Sequence, residues 1–285
     1  MLSLIICSRA TYIPQNLKDN ISKTIGVDYE LVVIDNSKNL YSIFSAYNEG
    51  VRRARYPYLC FMHEDILYHS QDWGKKVIKH FEEDPETGLI GVFGGHYLPD
   101  LPAHIGDSEL LSGKLYASQK GSKSLLYDYN EYFDGKNNVE VVAVDGMWFV
   151  IPNLLFKKIC FDENFPGFHY YDIDISLQVI SIGYKCKVVN DIIMEHNTNT
   201  NIDKIFINST YDFYKKWKHL LPIEKGHKFD NAHLKTVDLL CQFKEYSREL
   251  NFENNRIKTS KAFYLVKILL SPYYIFKKYL VKLWT

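Results

Sequence analysis

Three aspartates each follow a short apolar run of the sequence. The run at residues 30–34 precedes Asp35, the run at 58–62 precedes Asp65, and the run at 139–144 precedes Asp145. If these runs are neighbouring strands of one sheet, the three carboxylates gather along one edge. Ligands of open α/β sheets bind outside the carboxyl ends of the strands, and grouped carboxylates there suit a metal ion that holds a phosphorylated ligand. The pattern therefore predicts a metal-assisted phosphate site.

Two further acids, Asp172 and Asp174, lie at the predicted start of a helix that covers residues 173–182. A carboxylate at this end of a helix is stabilised by the positive end of the helix dipole. Both residues could cap the helix, and for Asp174 this structural role is as well supported as a catalytic one.

The elements that must position these residues follow from the spacing of apolar residues. Short apolar runs alternate with helical patterns from residue 1 to about residue 190, which predicts βαβ units and a mostly parallel sheet. Residues 96–138 show little apolar periodicity and are predicted to be a long loop that is functional or mobile. From about residue 203 the pattern is helical. We therefore expect an α/β domain over residues 1–202 and a helical C-terminal extension over residues 203–285.

The composition is that of a soluble globular protein, with 46% hydrophobic and 24% charged residues. Lys plus Arg equals Asp plus Glu, at 34 each, so there is no basic excess to support binding of nucleic acid. Five widely spaced cysteines indicate neither a disulfide framework nor a zinc knuckle. The first residues have no basic region or cleavage site and are interpreted as a strand. We expect a cytoplasmic protein.

Residues 262–284 are apolar and aromatic, with four lysines and a central Pro272. The lysines argue against a spanning helix, whereas a basic amphipathic segment can lie among anionic headgroups. The sequence therefore leaves two alternatives. The segment docks on the inner face of the cell membrane, or it packs on the domain or on a second copy of the chain in a homo-oligomer.

Six short motifs, in their order and spacing, resemble the family-two glycosyltransferases of the GT-A fold. They are residues 2–7, 33–37, 46–50, 59–65, 161–165 and 171–177. The resemblance covers roughly residues 1–200 and is closest to the bacterial branch that makes capsule and surface polysaccharides. It implies a Rossmann-like sheet flanked by helices and a metal-dependent, inverting transfer. A sugar would move from a nucleotide-diphosphate donor to a hydroxyl of a glycan or a lipid-linked acceptor.

The resemblance also implies a role for each matching residue. Asp35 matches the acceptor of a hydrogen bond from the nucleotide base, with Ser8 and Arg9 in the same pocket. Asp65 matches the last acid of the DxD motif, which coordinates a divalent ion on the diphosphate. His63 stands at the first DxD position, which usually contacts the ribose, and Glu64 at the middle one.

Asp172 matches the general base, in a pair that usually reads Glu-Asp and here reads Tyr171-Asp172. His196 matches a second metal ligand, and such a mixed imidazole and carboxylate set favours Mn²⁺ over Mg²⁺. Residues of the 145–148 segment are assigned to the sugar and acceptor, or, equally well, to a strand-end turn with a core tryptophan. They are Asp145, Gly146 and Trp148.

Other classes of protein fit the sequence less well. A nucleotide-binding oxidoreductase needs a GxGxxG motif after the first strand, and residues 8–12 contain none. A nucleotidyltransferase needs a Gly-rich basic loop there, which is also missing. The departures at His63 and Tyr171 keep one alternative open, a non-catalytic sugar-binding or assembly subunit with the same fold.

Overall fold

The computed structural model describes residues 1–118, 125–165, 167–197 and 204–259. Within these ranges the α-helices are α1 (Gln15–Thr24), α2 (Ile43–Arg53), α3 (Trp73–Glu83), α4 (Tyr171–Ser181), α5 (Lys204–Trp217) and α6 (Asn231–Thr259). The strands of the first half are β1 (Leu2–Ser8), β2 (Tyr29–Asp35), β3 (Tyr58–Met62), β4 (Ile66–Tyr68), β5 (Thr87–Gly91), β6 (Phe93–Gly95), β7 (Tyr97–Leu98) and β8 (Leu111–Ser118). Those of the second half are β9 (Leu125–Tyr129), β10 (Asn138–Val141), β11 (Ala143–Val144), β12 (Trp148–Pro152), β13 (Lys185–Val189), β14 (Met194–Asn197) and β15 (Ile223–Glu224).

The main sheet has seven strands in the order β10-β13-β5-β12-β3-β1-β2. β1 is parallel to both β2 and β3, and β13 is parallel to β5. β12 runs antiparallel to both of its neighbours, and β10 is antiparallel to β13. The predicted α/β class is confirmed, with antiparallel strands in the sheet that the apolar runs did not reveal.

Helices cover both faces of this sheet, which explains why its inner strands are apolar without alternation. On one face, α1 and α3 pack through Leu17, Trp73 and Val77. On the other face, α2, α4 and α5 share a second cluster. Because Phe213 and Trp217 of α5 lie in that cluster, the first helix of the predicted extension is part of the main core.

A second sheet has the order β11-β6-β8-β14-β4, with β9 paired to β8. Its strands β8 and β9 lie within residues 96–138, so the prediction of a long loop there was wrong. Every residue of β9 is exposed, and polar residues interrupt β8. Strands of this kind bury no continuous face, and apolar periodicity therefore gives no sign of them.

The predicted strand at residues 139–144 is divided between the two sheets. β10 lies at the far edge of the main sheet and β11 belongs to the second sheet. The expectation that Asp145 follows a strand adjacent to those of Asp35 and Asp65 was therefore wrong. Asp145 still reaches the same edge, because β12 begins just after it and pairs Trp148 with Met62 at the end of β3.

Helix α6 packs on the domain through Val237 and Cys241, next to Leu110. The guanidinium of Arg248 forms an ion pair with the buried carboxylate of Asp107. No helix within the described ranges is long and apolar enough to cross a bilayer. The segment 262–284, predicted to dock on a membrane or a partner, lies outside the described residues.

Candidate functional site

Three side chains with metal-ligating atoms meet at the carboxyl end of β3. His63 and Asp65 leave the sheet directly after β3, and antiparallel pairing of β14 with β4 sets His196 opposite Ile66, one residue beyond Asp65. His196 Nε2 lies 3.2 Å from His63 Nδ1 and 3.4 Å from Asp65 Oδ1. One ligand atom from each of the three residues lies within 4.8 Å of the others.

The chemistry of this donor set fits a divalent cation. Burial and the neighbouring His196 lower the pKa of His63 to about 4, so the ring is neutral and one nitrogen keeps a lone pair. Burial alone would raise the pKa of Asp65, but the hydrogen bond and the charge of His196 bring it below its usual range. The neutral ring of His63 and the ionised carboxylate of Asp65 are thus in the protonation states that bind a metal.

His63 has a second partner that sequence reasoning missed. Its Nε2 lies 2.9 Å from the hydroxyl of Tyr171, which donates a hydrogen bond of 2.9 Å to the carbonyl of Gly146. A Cβ atom on Gly146 would collide with this hydroxyl, so glycine is required there for the tyrosine to approach. In the sequence Tyr171 stood out only as a departure from the usual Glu-Asp pair.

The residues assigned to the nucleotide lie beside this cluster. Ser8 ends β1 in register with Asp35 at the end of β2. The Ser8 hydroxyl donates to Glu64 at 2.6 Å, and the Arg9 Nε–H donates to the same carboxylate at 3.0 Å. Glu64, which had no assigned role, thus joins the end of β1 to the turn that carries His63 and Asp65.

Asp35 is exposed and free to meet a ligand. Its carboxylate accepts the backbone N–H of Ser37 at 2.9 Å, and the hydrogen bonds from Ser37 lower its pKa. An ionised, solvent-facing carboxylate at a strand end is suited to accept a hydrogen bond from a base.

Asp172 lies in the first turn of α4, where the Asp145–Gly146 turn faces it. Burial, and then the negative charge of Asp145, raise the pKa of Asp172 to about 7. The field of Asp145 also acts on His63, and the backbone N–H of His63 donates to the carbonyl of Met147. Asp172 and the three-residue cluster therefore both lie next to the turn at residues 145–147.

Asp174, two residues further on, has a different environment. Its buried carboxylate accepts from the indole N–H of Trp217 at 2.8 Å and pairs with Lys216 at 2.7 Å, both on α5. Neither Asp172 nor Asp174 is the N-cap residue of α4, because that position is Tyr170, in a left-handed conformation with φ 65°. The capping interpretation was wrong, and Asp174 instead ties α4 to α5.

Trp148 does not contribute to the site. Its side chain has no exposed surface, its indole N–H donates to the Tyr68 hydroxyl at 2.9 Å, and its ring packs edge-on against Trp73. Assignment of Trp148 to the sugar was therefore wrong, and the alternative of a core tryptophan after a strand-end turn is correct.

The chain is similar to proteins of a known family and fold. A family model described as "Glycosyltransferase like family" matches residues 4–218. The crystal structure of GalNAc-T7 with UDP, GalNAc and Mn²⁺ aligns with a TM-score of 0.53 and 11% identity, over 83% of this chain and 53% of that one. This likeness confirms the predicted GT-A fold, and the present chain spans about half the length of that protein.

A197 from STIV aligns with a TM-score of 0.39 and 16% identity, over 70% of this chain and 86% of that one. No curated protein matches the sequence.

Proposed function

Because the chain belongs to the glycosyltransferase-like family, we propose that it is a metal-dependent, inverting glycosyltransferase. It moves a sugar from a nucleotide-diphosphate donor to a hydroxyl of a glycan or lipid-linked acceptor. The observation that carries this proposal is that a buried acid, Asp172, and the cluster of His63, Asp65 and His196 both adjoin the Asp145–Gly146 turn.

The proposed metal ligands are Asp65, His196 and His63, in place of the ribose contact first assigned to His63. The mixed donor set makes Mn²⁺ the favoured ion and Mg²⁺ the second choice. A cation bound here would supply Lewis-acid stabilisation of the negative charge that develops on the departing diphosphate.

The donor nucleotide is proposed to lie over the ends of β1 and β2. Asp35 would accept a hydrogen bond from the base, and Ser8 and Arg9 would line the same pocket. The side chain of Arg9 is 82% exposed, so its guanidinium keeps donors free for an anionic ligand while its Nε–H holds Glu64. Asp145 and Gly146 form the turn next to the sugar and acceptor.

Asp172 is the proposed general base. The acceptor hydroxyl must lose its proton as it attacks the anomeric carbon, and a carboxylate within hydrogen-bond reach can take that proton. A base is most effective when its pKa lies near the working pH, and burial has raised the pKa of Asp172 to about 7. Attack from the side opposite the leaving group inverts the anomeric centre.

The test is release of nucleoside diphosphate from a panel of nucleotide sugars in the presence of Mn²⁺. We expect release with one donor, and its loss in Asp65→Ala and in Asp172→Asn. Asp212→Asn on the outer surface of α5 is the matched control and should retain activity. Binding of a donor without any release by the unaltered protein would contradict the proposal and favour a sugar-binding subunit.

We further propose that the enzyme works at the inner face of a bacterial membrane in surface polysaccharide synthesis. Two observations support a membrane surface. On α6, the face opposite Val237 and Cys241 carries four exposed apolar side chains in one line, Leu239, Phe243, Tyr246 and Leu250. The sequence after Glu253 contains seven Lys and Arg residues and no acid, which suits anionic lipid.

Sedimentation with anionic liposomes tests this location. Deletion of residues 262–285 is expected to release the protein, and paired Leu239→Ser and Phe243→Ser substitutions to weaken binding, while hydrolysis of the donor continues. Leu154→Ser, at an exposed leucine away from α6, is the matched control. Liposome binding that is unchanged by the deletion would rule out membrane docking through this segment.

A further inference from the structure

The hydrogen bonds that lead away from the candidate metal site have only one allowed direction. The carbonyl of Gly146 can only accept, so the Tyr171 hydroxyl must donate to it. A tyrosine hydroxyl carries a single proton, so it can donate only one hydrogen bond. Having donated its single proton to Gly146, the Tyr171 oxygen can only accept from His63 Nε2.

The tautomer of His63 follows from this direction. A neutral imidazole carries one N–H, and that N–H must be at Nε2 to donate to Tyr171. Nδ1, which faces His196 Nε2 at 3.2 Å, is therefore left with its lone pair. Of the two ring nitrogens, the one turned towards the other ligand atoms is the one that can bind a cation.

We propose that Tyr171 is a positioning residue of the metal site, which holds His63 in the Nε2–H tautomer with Nδ1 presented beside Asp65 and His196. This inference rests on the proposed function, since it gives His63 the role of a ligand. A histidine ligand usually donates its second N–H to an acceptor that fixes the ring, and loss of such an acceptor typically costs 10–100-fold in metal affinity.

The packing around Tyr171 makes it a rigid acceptor. Its ring meets Tyr47 at 5.6 Å between centroids and Phe44 at 6.3 Å, both edge-on, and only 6% of the residue is exposed. Gly146 leaves the hydroxyl just enough room on the other side. Tyr171→Phe should therefore keep the ring in place and remove only the oxygen.

The first measurement is the tautomer of His63 in metal-free protein at pH 7, from the ¹⁵N shifts of its ring nitrogens, with the signal assigned by its loss in His63→Asn. We expect Nε2 protonated and Nδ1 bare in the unaltered protein. In Tyr171→Phe we expect a mixture of tautomers. Nδ1–H in the unaltered protein, or the same Nε2–H tautomer in both proteins, would overturn the inference.

The second measurement is the Mn²⁺ dissociation constant, from the electron paramagnetic resonance signal of free Mn²⁺. Tyr171→Phe should weaken binding by about 10–100-fold. Gly146→Ala, which keeps the hydroxyl but displaces it, should act in the same direction. Equal affinity in Tyr171→Phe and the unaltered protein would also overturn the inference.

Tyr170→Phe is the matched control, since it too removes a buried tyrosine hydroxyl. The Tyr170 hydroxyl donates a hydrogen bond of 2.7 Å to Thr210 and does not contact the cluster. This substitution should leave both the tautomer and the affinity unchanged, and an equal loss of affinity there would show that Tyr171 is merely structural. If the unaltered protein binds no Mn²⁺, the proposed metal site fails. The tautomer of metal-free His63 still decides the role of Tyr171 separately.

Discussion

The first turn of α4 presents two buried carboxylates to two different surroundings. On the side that packs against α5, Asp174 is met by Lys216, by the indole N–H of Trp217 and by the amide of Gln178, at 2.7–2.8 Å. On the side that faces the Asp145–Gly146 turn, Asp172 accepts from a backbone N–H and sees a second negative charge rather than a cation.

This difference separates a structural acid from the acid that we propose to be functional. A buried carboxylate with a cation and several donors is compensated, and its removal mainly affects stability. A buried carboxylate without a cation is costly to ionise, and such sites persist where the protein uses the resulting affinity for a proton. The two acids have equivalent positions in the sequence pattern, and only their hydrogen-bond and ion-pair partners in the structure distinguish them.

The largest expected effect is on catalysis. Asp172→Asn removes the proposed base and should lower sugar transfer by about 10²–10⁴-fold, the usual contribution of general base catalysis. Asp174→Asn should keep most of its activity per folded molecule. Initial rates with the donor identified in the panel measure both, and a similar loss in the two variants would remove the distinction.

The next effect concerns stability and has the opposite pattern. Asp174→Asn removes the more buried of the two carboxylates that pair with Lys216, which then keeps only Asp162, and should lower the free energy of unfolding by about 2 kcal/mol. Asp172→Asn should be neutral or stabilising, because it removes a buried charge that has no cation. Urea denaturation of the metal-free proteins compares them, and an equally large destabilisation by Asp172→Asn would contradict the account.

A third effect is a dependence of stability on pH that belongs to Asp172. Because its pKa is about 7 in the folded protein against 3.8 for a free carboxyl, the folded state binds the proton more tightly than the unfolded chain. The contribution of Asp172 is therefore fully present below about pH 4 and is lost as the pH rises through about 7. The unfolding free energy of the unaltered protein, minus that of Asp172→Asn, should fall over this interval. A flat or rising difference would show that the pKa is not raised.

The smallest expected effect tests what raises the pKa of Asp172. Burial is the main reason for the raised pKa of Asp172 and the charge of Asp145 is the next. Asp145→Asn should therefore lower the pKa of Asp172 only in part. The ¹³C carboxyl shift of Asp172 against pH gives the value directly. No change in its midpoint would mean that the Asp145–Gly146 turn does not act on the base.

The sequence predicted the parts of the fold that bury continuous apolar surface. Strands β1, β2 and β3 were placed to within a few residues, because helices cover both faces of their sheet. The second sheet was missed, since its strand β4 has three residues and its strand β9 is exposed throughout. Pairing between strands so distant in the chain leaves no periodic signal.

The candidate site, like the fold, was predicted only in part. Asp65 and His196 were singled out from motif order, and the structure sets them side by side through the pairing of β14 with β4. The contact of Tyr171 with His63 depends on a missing Cβ at Gly146, 25 residues away in the chain. Such a contact is a matter of packing in three dimensions, which residue types at a given spacing do not encode.

The central claim is that a cation bound by Asp65 and His196 faces the Asp172 carboxylate across one cavity. Anomalous diffraction from crystals soaked with Mn²⁺ and a nucleoside diphosphate tests it most directly. The account predicts a single strong peak at coordination distance from Asp65, His196 and His63 Nδ1, in contact with the diphosphate and on the side that Asp172 faces. A diphosphate bound with no peak at these three residues, or a peak in a groove that Asp172 does not reach, would contradict it.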